Sequence, residues 1–282
     1  MSTLPGHTTA RDARVAEGSR SEKVLANTTN PACVLITGAS GGIGGALAEA
    51  YAAPGRILVL QGRNEDKLAQ VARRCRALGA SVETCMLDLR DASALSAWLA
   101  ATTARMVPDL VVVNAGVNTN IGPDNAGEPW DKTREVIEVN VLAAFATING
   151  VLPGMRARGH GQIALISSLA AYYGLPITPS YCASKAALKA YGEALRGWLA
   201  PEGIRINVVM PGFVESRMCD EFPGPKPFLW TAEKAARTIK RGLAHNRPRI
   251  SFPFPLNLGS WFLAVLPARF AERALRWMHY GG

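Results

Sequence analysis

Short apolar runs, separated by stretches of helical length, constrain this chain more tightly than any other feature. Cys33–Thr37 reads Cys-Val-Leu-Ile-Thr and Leu110–Val113 reads Leu-Val-Val-Val. Arg56–Gln61, Val82–Leu87, Gln162–Ser167 and Ile204–Met210 follow the same habit. Short continuous apolar runs, rather than polar/apolar alternation, mark strands buried on both faces. Helical stretches lie between them: Ile43–Ala53, Asn64–Leu78, Asp91–Ala101, Trp130–Gly150 and Ser180–Ala200. Asn64 is an N-cap candidate. Strands alternating with helices build a parallel sheet covered on both sides, and right-handed crossovers wind it doubly. The expected fold class is therefore α/β, a Rossmann-type sheet. Ligands of such sheets bind beyond the carboxyl ends of the strands.

The pattern divides the chain into three parts. Residues 1–30 are polar and lack an apolar leader, which predicts a disordered N-terminal tail. Residues 31–252 hold the sheet, ending in a last strand at Arg249–Phe252. Residues 253–282 form an amphipathic, basic C-terminal extension: a turn-rich link over Pro253–Gly259, then a helical stretch over Ser260–Met278 interrupted at Pro267. Before the last strand, Glu215–Trp230 holds too many prolines for a continuous helix, and Thr231 caps a basic helix ending at Ala244.

Formal charge is +9, and its distribution is uneven. Residues 1–225 carry 21 basic and 20 acidic side chains, whereas residues 226–282 carry ten and two. The extension can serve as an oligomer contact, as a cap over a pocket, or as a peripheral contact with an anionic membrane surface. It holds no recognised nucleic-acid motif. Five scattered cysteines without a paired spacing predict reduced thiols and no metal site. No run reaches the ~18 apolar residues of a spanning helix. A cytoplasmic chain is expected, with peripheral contact at the inner face of a membrane open to the extension.

The first strand runs into Thr37-Gly-Ala-Ser-Gly-Gly-Ile-Gly44, and a helix follows. Gly38 permits a tight turn, Gly42 lets backbone approach a pyrophosphate, and Gly44 lets the helix pack closely on the sheet. The helix N-terminus offers free N–H groups to phosphates. A carboxylate at the end of the second strand would bind the ribose 2′-OH of NAD. The sequence there is Leu60-Gln61-Gly62-Arg63-Asn64, without an acid. Arg63 suits a 2′-phosphate, so NADP is preferred over NAD.

Tyr181-Cys-Ala-Ser-Lys185 puts a phenol and an ammonium on one helix face. Positive charge from Lys185 is expected to lower the tyrosine pKa and fit it for proton transfer. Ser168 stands at a strand end, thirteen positions before Tyr181, with a hydroxyl able to hold a substrate oxygen. Its neighbour Ser167 reads as a locally bonded strand-end hydroxyl. Asn140 lies mid-helix in an apolar stretch, so its amide must be hydrogen-bonded. Tyr172, Tyr173, Leu175, Ile177, Phe213, Met218, Phe222, Phe228 and Trp230 predict an apolar pocket and lid.

These elements, in this order, resemble the short-chain dehydrogenase/reductase family over residues 31–216 and the strand near 249–252. The resemblance implies hydride transfer between a nicotinamide and a carbonyl or alcohol carbon. It makes Ser168, Tyr181 and Lys185 catalytic, and Asn140 the holder of a proton relay to Lys185. It assigns cofactor contacts to Gly38, Ser40, Gly42, Ile43, Gly44, Arg63, Asn64, Asp88, Leu89, Asn114, Ala115, Gly116, Pro211, Gly212 and Val214, besides Tyr181 and Lys185. Asp88 would lie near the adenine, and Ser216 stands where a hydroxyl often touches cofactor. Asn114-Ala-Gly116 resembles the family's N-N-A-G element, with Val113 in place of the first Asn. A homodimer or homotetramer acting on a lipophilic carbonyl or alcohol follows. The competing reading is a non-catalytic NADP-binding sensor or scaffold on the same fold.

Overall fold

Each apolar run becomes a strand. They are β1 Cys33–Ile36, β2 Ile57–Gly62, β3 Ser81–Met86, β4 Leu110–Val113, β5 Gly161–Ile166, β6 Ile204–Pro211 and β7 Arg249–Phe252. The computed structural model describes residues 30–122 and 124–277. The strands form one parallel seven-stranded sheet in the order β3-β2-β1-β4-β5-β6-β7. Strand order reverses at β1, so β1 and β4 flank the switch point where ligands of such sheets bind. The tail assigned to residues 1–30 lies, except for Asn30, outside the described residues, as does Met278.

The helices are α1 Gly42–Tyr51, α2 Glu65–Ala77, α3 Ala92–Arg105, α4 Trp130–Arg158, α5 Pro179–Leu199, α6 Arg217–Asp220, α7 Ala232–Ala244, α8 Leu256–Val265 and α9 Ala268–Trp277. Side chains alternate across the strands and feed two cores. Val34, Ile36, Leu58, Leu60 and Val112 pack with Leu47 of α1, Val71 of α2 and Ile239 of α7. Leu35, Val59, Val111, Ile163 and Leu165 pack with Leu99 of α3, Ile148 and Met155 of α4 and Leu188 of α5. Burial on both faces explains why these strands read as unbroken apolar runs. The edge strand β3 is largely exposed, matching its polar content.

Besides α3, which runs to Arg105 rather than stopping at Ala101, two boundaries differ from expectation. Helix α4 continues to Arg158 rather than stopping at Gly150. Gly150 and Gly154 serve close packing there: a Cβ on them would lie 2.7 Å from Leu99 and 2.7 Å from Val107, respectively. The helix ends instead at Gly159, with φ of +70°. By length and composition α4 could cross a membrane, contrary to the sequence reading, but half of its apolar window is buried inside the protein as a core helix. The second difference is the link over Pro253–Gly259, where α8 already begins at Leu256. The expected break at Pro267 separates α8 from α9.

A buried amide chain ties the far end of the sheet together. Gln162 Nε2 on β5 donates to Asn207 Oδ1 on β6 at 2.8 Å and to Leu243 O of α7 at 2.9 Å. Asn207 Nδ2 donates in turn to Arg247 O at 2.7 Å and Asn246 Oδ1 at 3.2 Å. Removing one link strands several buried polar atoms, each at about 1–3 kcal/mol. Asn207→Leu is expected to lose about 2–4 kcal/mol of stability in urea unfolding. A loss below about 1 kcal/mol would mean that the chain of amides is not structurally important.

Candidate active site

A cleft of about 860 Å³ opens along the carboxyl ends of the strands. Of the cofactor-contact and catalytic residues expected from sequence, all but Gly44 and Asn140 line it. Both exceptions lie behind its wall. A Cβ on Gly44 would meet Gly38 O at 2.3 Å and Asn114 Nδ2 at 2.5 Å. Gly44 therefore permits contact between α1 and the turn itself, rather than with the strands as expected. Gly38 and Gly42 hold φ of +66° and +53°, where a side chain is strained. Asn114 fixes the turn from β4: its Nδ2 donates to Thr37 O and Gly38 O, each at 3.0 Å.

This turn fits a phosphate. No side chain caps α1, and no acid stands in its first turn. The space where a Gly41 side chain would stand is open to 4 Å. Unclaimed N–H groups at a helix start attract anions. Gln61, at the end of β2, is buried and structural. Its Oε1 accepts from Gly38 N at 3.0 Å and its Nε2 donates to Leu87 O at 2.6 Å.

The end of the cleft beyond β2 and β3 is lined by partnered charges. Arg63 pairs with Glu135 of α4 at 3.2 Å while about half of its side chain stays exposed. Glu135 also binds Lys132 at 3.2 Å. Asp88 accepts from Arg90 at 2.6 Å, and that hydrogen bond holds its carboxyl below the usual range. Asn64 spends its side chain capping α2, accepting from Lys67 N at 2.9 Å.

Tyr181 and Lys185 sit one turn apart near the start of α5, which Pro179 opens. Thr178 stands before that helix without capping it. The cap comes instead from Glu128, whose carboxylate accepts from Ser180 N at 3.0 Å and Ser180 Oγ at 2.9 Å. Lys185 is buried, and its Nζ donates to Ile166 O at 3.0 Å. Gly116 leaves it room, since a Cβ there would stand 3.4 Å from Nζ. Ser168 hydrogen-bonds Tyr181, and its Oγ lies 3.4 Å from Pro211 O. Ser167 turns to the helix and donates to Lys185 O at 2.7 Å.

Tyr181 differs from expectation in sign. Burial pushes its pKa up to about 12, against a smaller pull from the Ser168 hydrogen bond. The Lys185 ammonium lies 5.4 Å from the ring centroid, over the ring face. Burial lowers Lys185 itself to about 8. Desolvation of two neighbouring groups thus outweighs their mutual charge effect. Asn140 sits in a π turn, Glu138–Leu142, inside α4. Its Oδ1 accepts from Val117 N at 2.8 Å, and its Nδ2 donates to Val117 O and Ser184 Oγ, each at 2.9 Å. Both amide donors are committed, as a buried amide requires.

The outer cleft is apolar. Tyr173, Leu175, Phe213, Met218 and Phe222 line it as expected. Tyr172, Ile177, Phe228 and Trp230 do not. Trp230 stacks on Phe252 at 5.0 Å, and Phe228 is exposed. Ser216 lines the cleft and caps α6, accepting from Cys219 N at 3.2 Å. Sequence reasoning missed Leu256, Ser260 and Leu263 of α8 and Leu275 of α9, which close the cleft from the C-terminal side. The spacing 256, 260, 263 is a helical stripe that could have revealed them.

The sequence profile of the short chain dehydrogenase family matches residues 32–225. An uncharacterized oxidoreductase of Myxococcus xanthus is 36% identical over 244 residues, 86% of this chain and 95% of that protein. A Streptomyces virginiae protein, provisionally named the ketoacyl reductase of the monensin polyketide synthase, is 36% identical over 188 residues, 65% of this chain and 71% of that one. Among solved structures, a short-chain dehydrogenase from Sphingobium yanoikuyae in complex with NADPH superposes with a TM-score of 0.73 at 25% identity, covering 86% of this chain and 94% of that one.

Lys185 gives the site a pH signature. Its pKa falls from 10.5 to about 8 on folding, so the folded chain releases that proton first. Burying the ammonium costs stability below about pH 8, and the cost fades as pH rises toward 10.5. Lys185→Met lacks this term. Wild type is expected to gain about 2–3 kcal/mol relative to Lys185→Met between about pH 8 and about pH 10. Parallel stability curves for the two proteins would show that Lys185 is not desolvated.

Proposed function

Because the chain belongs to the short-chain dehydrogenase family, we propose that it is a carbonyl reductase and alcohol dehydrogenase using NADP(H), with Tyr181 as general acid/base. The observation that carries this reading is the convergence of Tyr181, Ser168 and Lys185 at the floor of one cleft whose other end is an uncapped glycine turn. The bound nicotinamide dinucleotide supplies or takes up the hydride. Everything else falls to side chains of the protein.

Ser168 donates to the substrate oxygen and holds it beside Tyr181. Tyr181, protonated over the physiological range because burial raises its pKa to about 12, gives its proton to that oxygen in reduction. In the reverse direction it takes the proton back, and the positive charge of Lys185 favours the phenolate that must form. Lys185 is anchored by its hydrogen bond to Ile166 O, in space that Gly116 leaves open. Asn140 holds the relay to Lys185 by shaping backbone. Its side-chain amide is fully engaged with Val117 and Ser184, and the π turn around it breaks the regular carbonyl ladder of α4.

The dinucleotide is held by the α1 N-terminus at its phosphates and by Arg63 at a 2′-phosphate. Asp88 and Leu89 line the adenine end, and Asn114, Ala115 and Gly116 flank the ribose. Pro211, Gly212 and Val214 back the nicotinamide end. No carboxylate stands at the end of β2 to favour NAD, and the Sphingobium yanoikuyae relative was solved with NADPH. The substrate is a medium or large apolar ketone or aldehyde, in keeping with the walls of Tyr173, Leu175, Phe213, Met218, Phe222 and Leu263. The ketoacyl reductase name of the Streptomyces virginiae relative agrees with reduction of a carbonyl. Assembly into dimers or tetramers uses α4 and α5, whose exposed Leu142 and Trp198 give them apolar outer surfaces.

A screen of ketones and aldehydes, following NADPH oxidation with NADH as the control, tests this directly. Tyr181→Phe is expected to lose about 10²–10⁴-fold in turnover while retaining NADPH binding. Arg63→Ala is expected to raise the NADPH KM about tenfold or more and leave the NADH KM nearly unchanged. Higher kcat/KM with NADH in the native protein would overturn the NADP assignment. Unchanged turnover in Tyr181→Phe would overturn the mechanism.

A further inference from the structure

Helix α8 is apolar on two sides. Leu256, Ser260 and Leu263 face the cleft. Leu258, Trp261, Phe262 and Val265 recur at the spacing of one helix face and are 54%, 45%, 53% and 56% exposed. Beside them α9 buries Ala271 and Leu275, half-buries Ala274 and exposes its other residues, including Arg269, Arg273, Arg276 and Glu272. Among the described residues, no acidic side chain forms an ion pair with these three arginines. An exposed aromatic stripe of this kind marks an interaction surface rather than ordinary solvent exposure.

We propose that the outer face of α8 and α9 docks on an anionic lipid bilayer, with the α8 stripe in the headgroup–acyl boundary and the arginines against lipid phosphates. Three observations select this occupant. Helix α8 has 10 residues, about 15 Å of rise, against a hydrocarbon core of about 30 Å. It can lie in the interface and cannot cross it. On α8 and α9 themselves, Arg269, Arg273 and Arg276 stand against one acid, Glu272, which leaves the face net positive. A second copy meeting this face would bring like charge to like charge, whereas anionic headgroups complement it. Aromatic and aliphatic residues beside arginine are the composition of interfacial helices. Since the inner side of α8 lines the cleft, a docked protein holds its cleft beside the lipid. Delivery of an apolar carbonyl from the bilayer then follows, a step that rests on the reductase reading. Docking itself does not.

Co-sedimentation of the full chain with phosphatidylcholine vesicles, made with and without phosphatidylglycerol, tests docking apart from catalysis. The native protein is expected to pellet with the phosphatidylglycerol vesicles and to be released by high salt. Trp261→Ser/Phe262→Ser, and separately Arg269→Gln/Arg273→Gln/Arg276→Gln, are expected to weaken pelleting at least about tenfold. These side chains are exposed, so both variants are expected to keep the native thermal midpoint and NADPH-dependent turnover on a water-soluble carbonyl. A native protein that stays in the supernatant, or pellets equally with both vesicles, overturns the proposal. So does a dimer, formed without vesicle binding, that Trp261→Ser/Phe262→Ser dissociates, since this face would then belong to a second copy. Loss of NADPH turnover with vesicle binding intact would count against the reductase reading and leave docking standing.

Discussion

The contact between Gly44 and the carbonyl of Gly38 governs the geometry of the whole cleft. Helix α1 leaves β1 so steeply that a single methyl group at Gly44 would stand 2.3 Å from that oxygen. Asn114, reaching across from β4, binds the same carbonyl and its neighbour and locks the turn to the strand beside it. The strand order reverses between these two strands, so the turn overhangs the gap left by diverging crossovers. Because α1 starts there without a side-chain cap, its N–H groups remain available to a ligand. The glycine-turn end of the cleft is thus a consequence of backbone proximity, and side chains contribute chiefly by holding backbone in position.

The opposite end of the cleft depends on desolvation. Lys185 is buried and Tyr181 half-buried at the cleft floor, and desolvation moves each toward its neutral form. The chain limits the cost with a few well-directed partners: Ile166 O for the ammonium and the Ser168 hydroxyl for the phenol. Desolvation keeps the tyrosine protonated at rest, while the neighbouring ammonium would stabilise a phenolate once the proton has left. Such a pair suits proton donation better than a permanently lowered tyrosine would. Asn140 contributes at one remove. Its amide clamps the backbone at Val117 and the Ser184 hydroxyl one residue from Lys185, so the π turn, the loop after β4 and α5 are hydrogen-bonded to one another.

The sheet was legible because every strand but the two edges, β3 and β7, is buried on both faces, and continuous apolar runs are hard to misread. The grouping of Tyr181, Lys185 and Ser168 in one cleft was legible for a local reason: Tyr181 and Lys185 share one helix turn, and Ser168 stands just past a strand end. Features that depend on distant partners were not legible. Glu128 caps α5 from 52 residues away, with nothing in the local sequence to announce it. The role of Gln61 depends on Gly38 and Leu87, which follow two different strands. The direction of the Tyr181 shift required knowing that desolvation exceeds the effect of a lysine lying over the ring face rather than at the hydroxyl. Trp230 and Phe228 looked like pocket residues by type. Only the fold reveals that one packs on Phe252 and the other faces solvent.

The two walls of the outer cleft are fastened to different degrees, and this sets how the cleft can open. The wall after β6 is pinned at both ends. Val214 pairs with Trp230 as an isolated bridge, Glu215 N donates to Trp230 O at 2.9 Å, and Trp230 stacks on Phe252 of β7. The wall formed by α8 and α9 is held by few buried side chains, chiefly Ala271 and Leu275, with no fully buried residue in α8. Elements with little buried apolar surface are those that open at low free energy, without unfolding the core. The covering of the cleft is therefore softest on the C-terminal side, the side that carries the excess positive charge. Anything that buries the outer stripe of α8 also changes how firmly that helix sits over the cleft, so surface contact and access to the floor are coupled through one short helix.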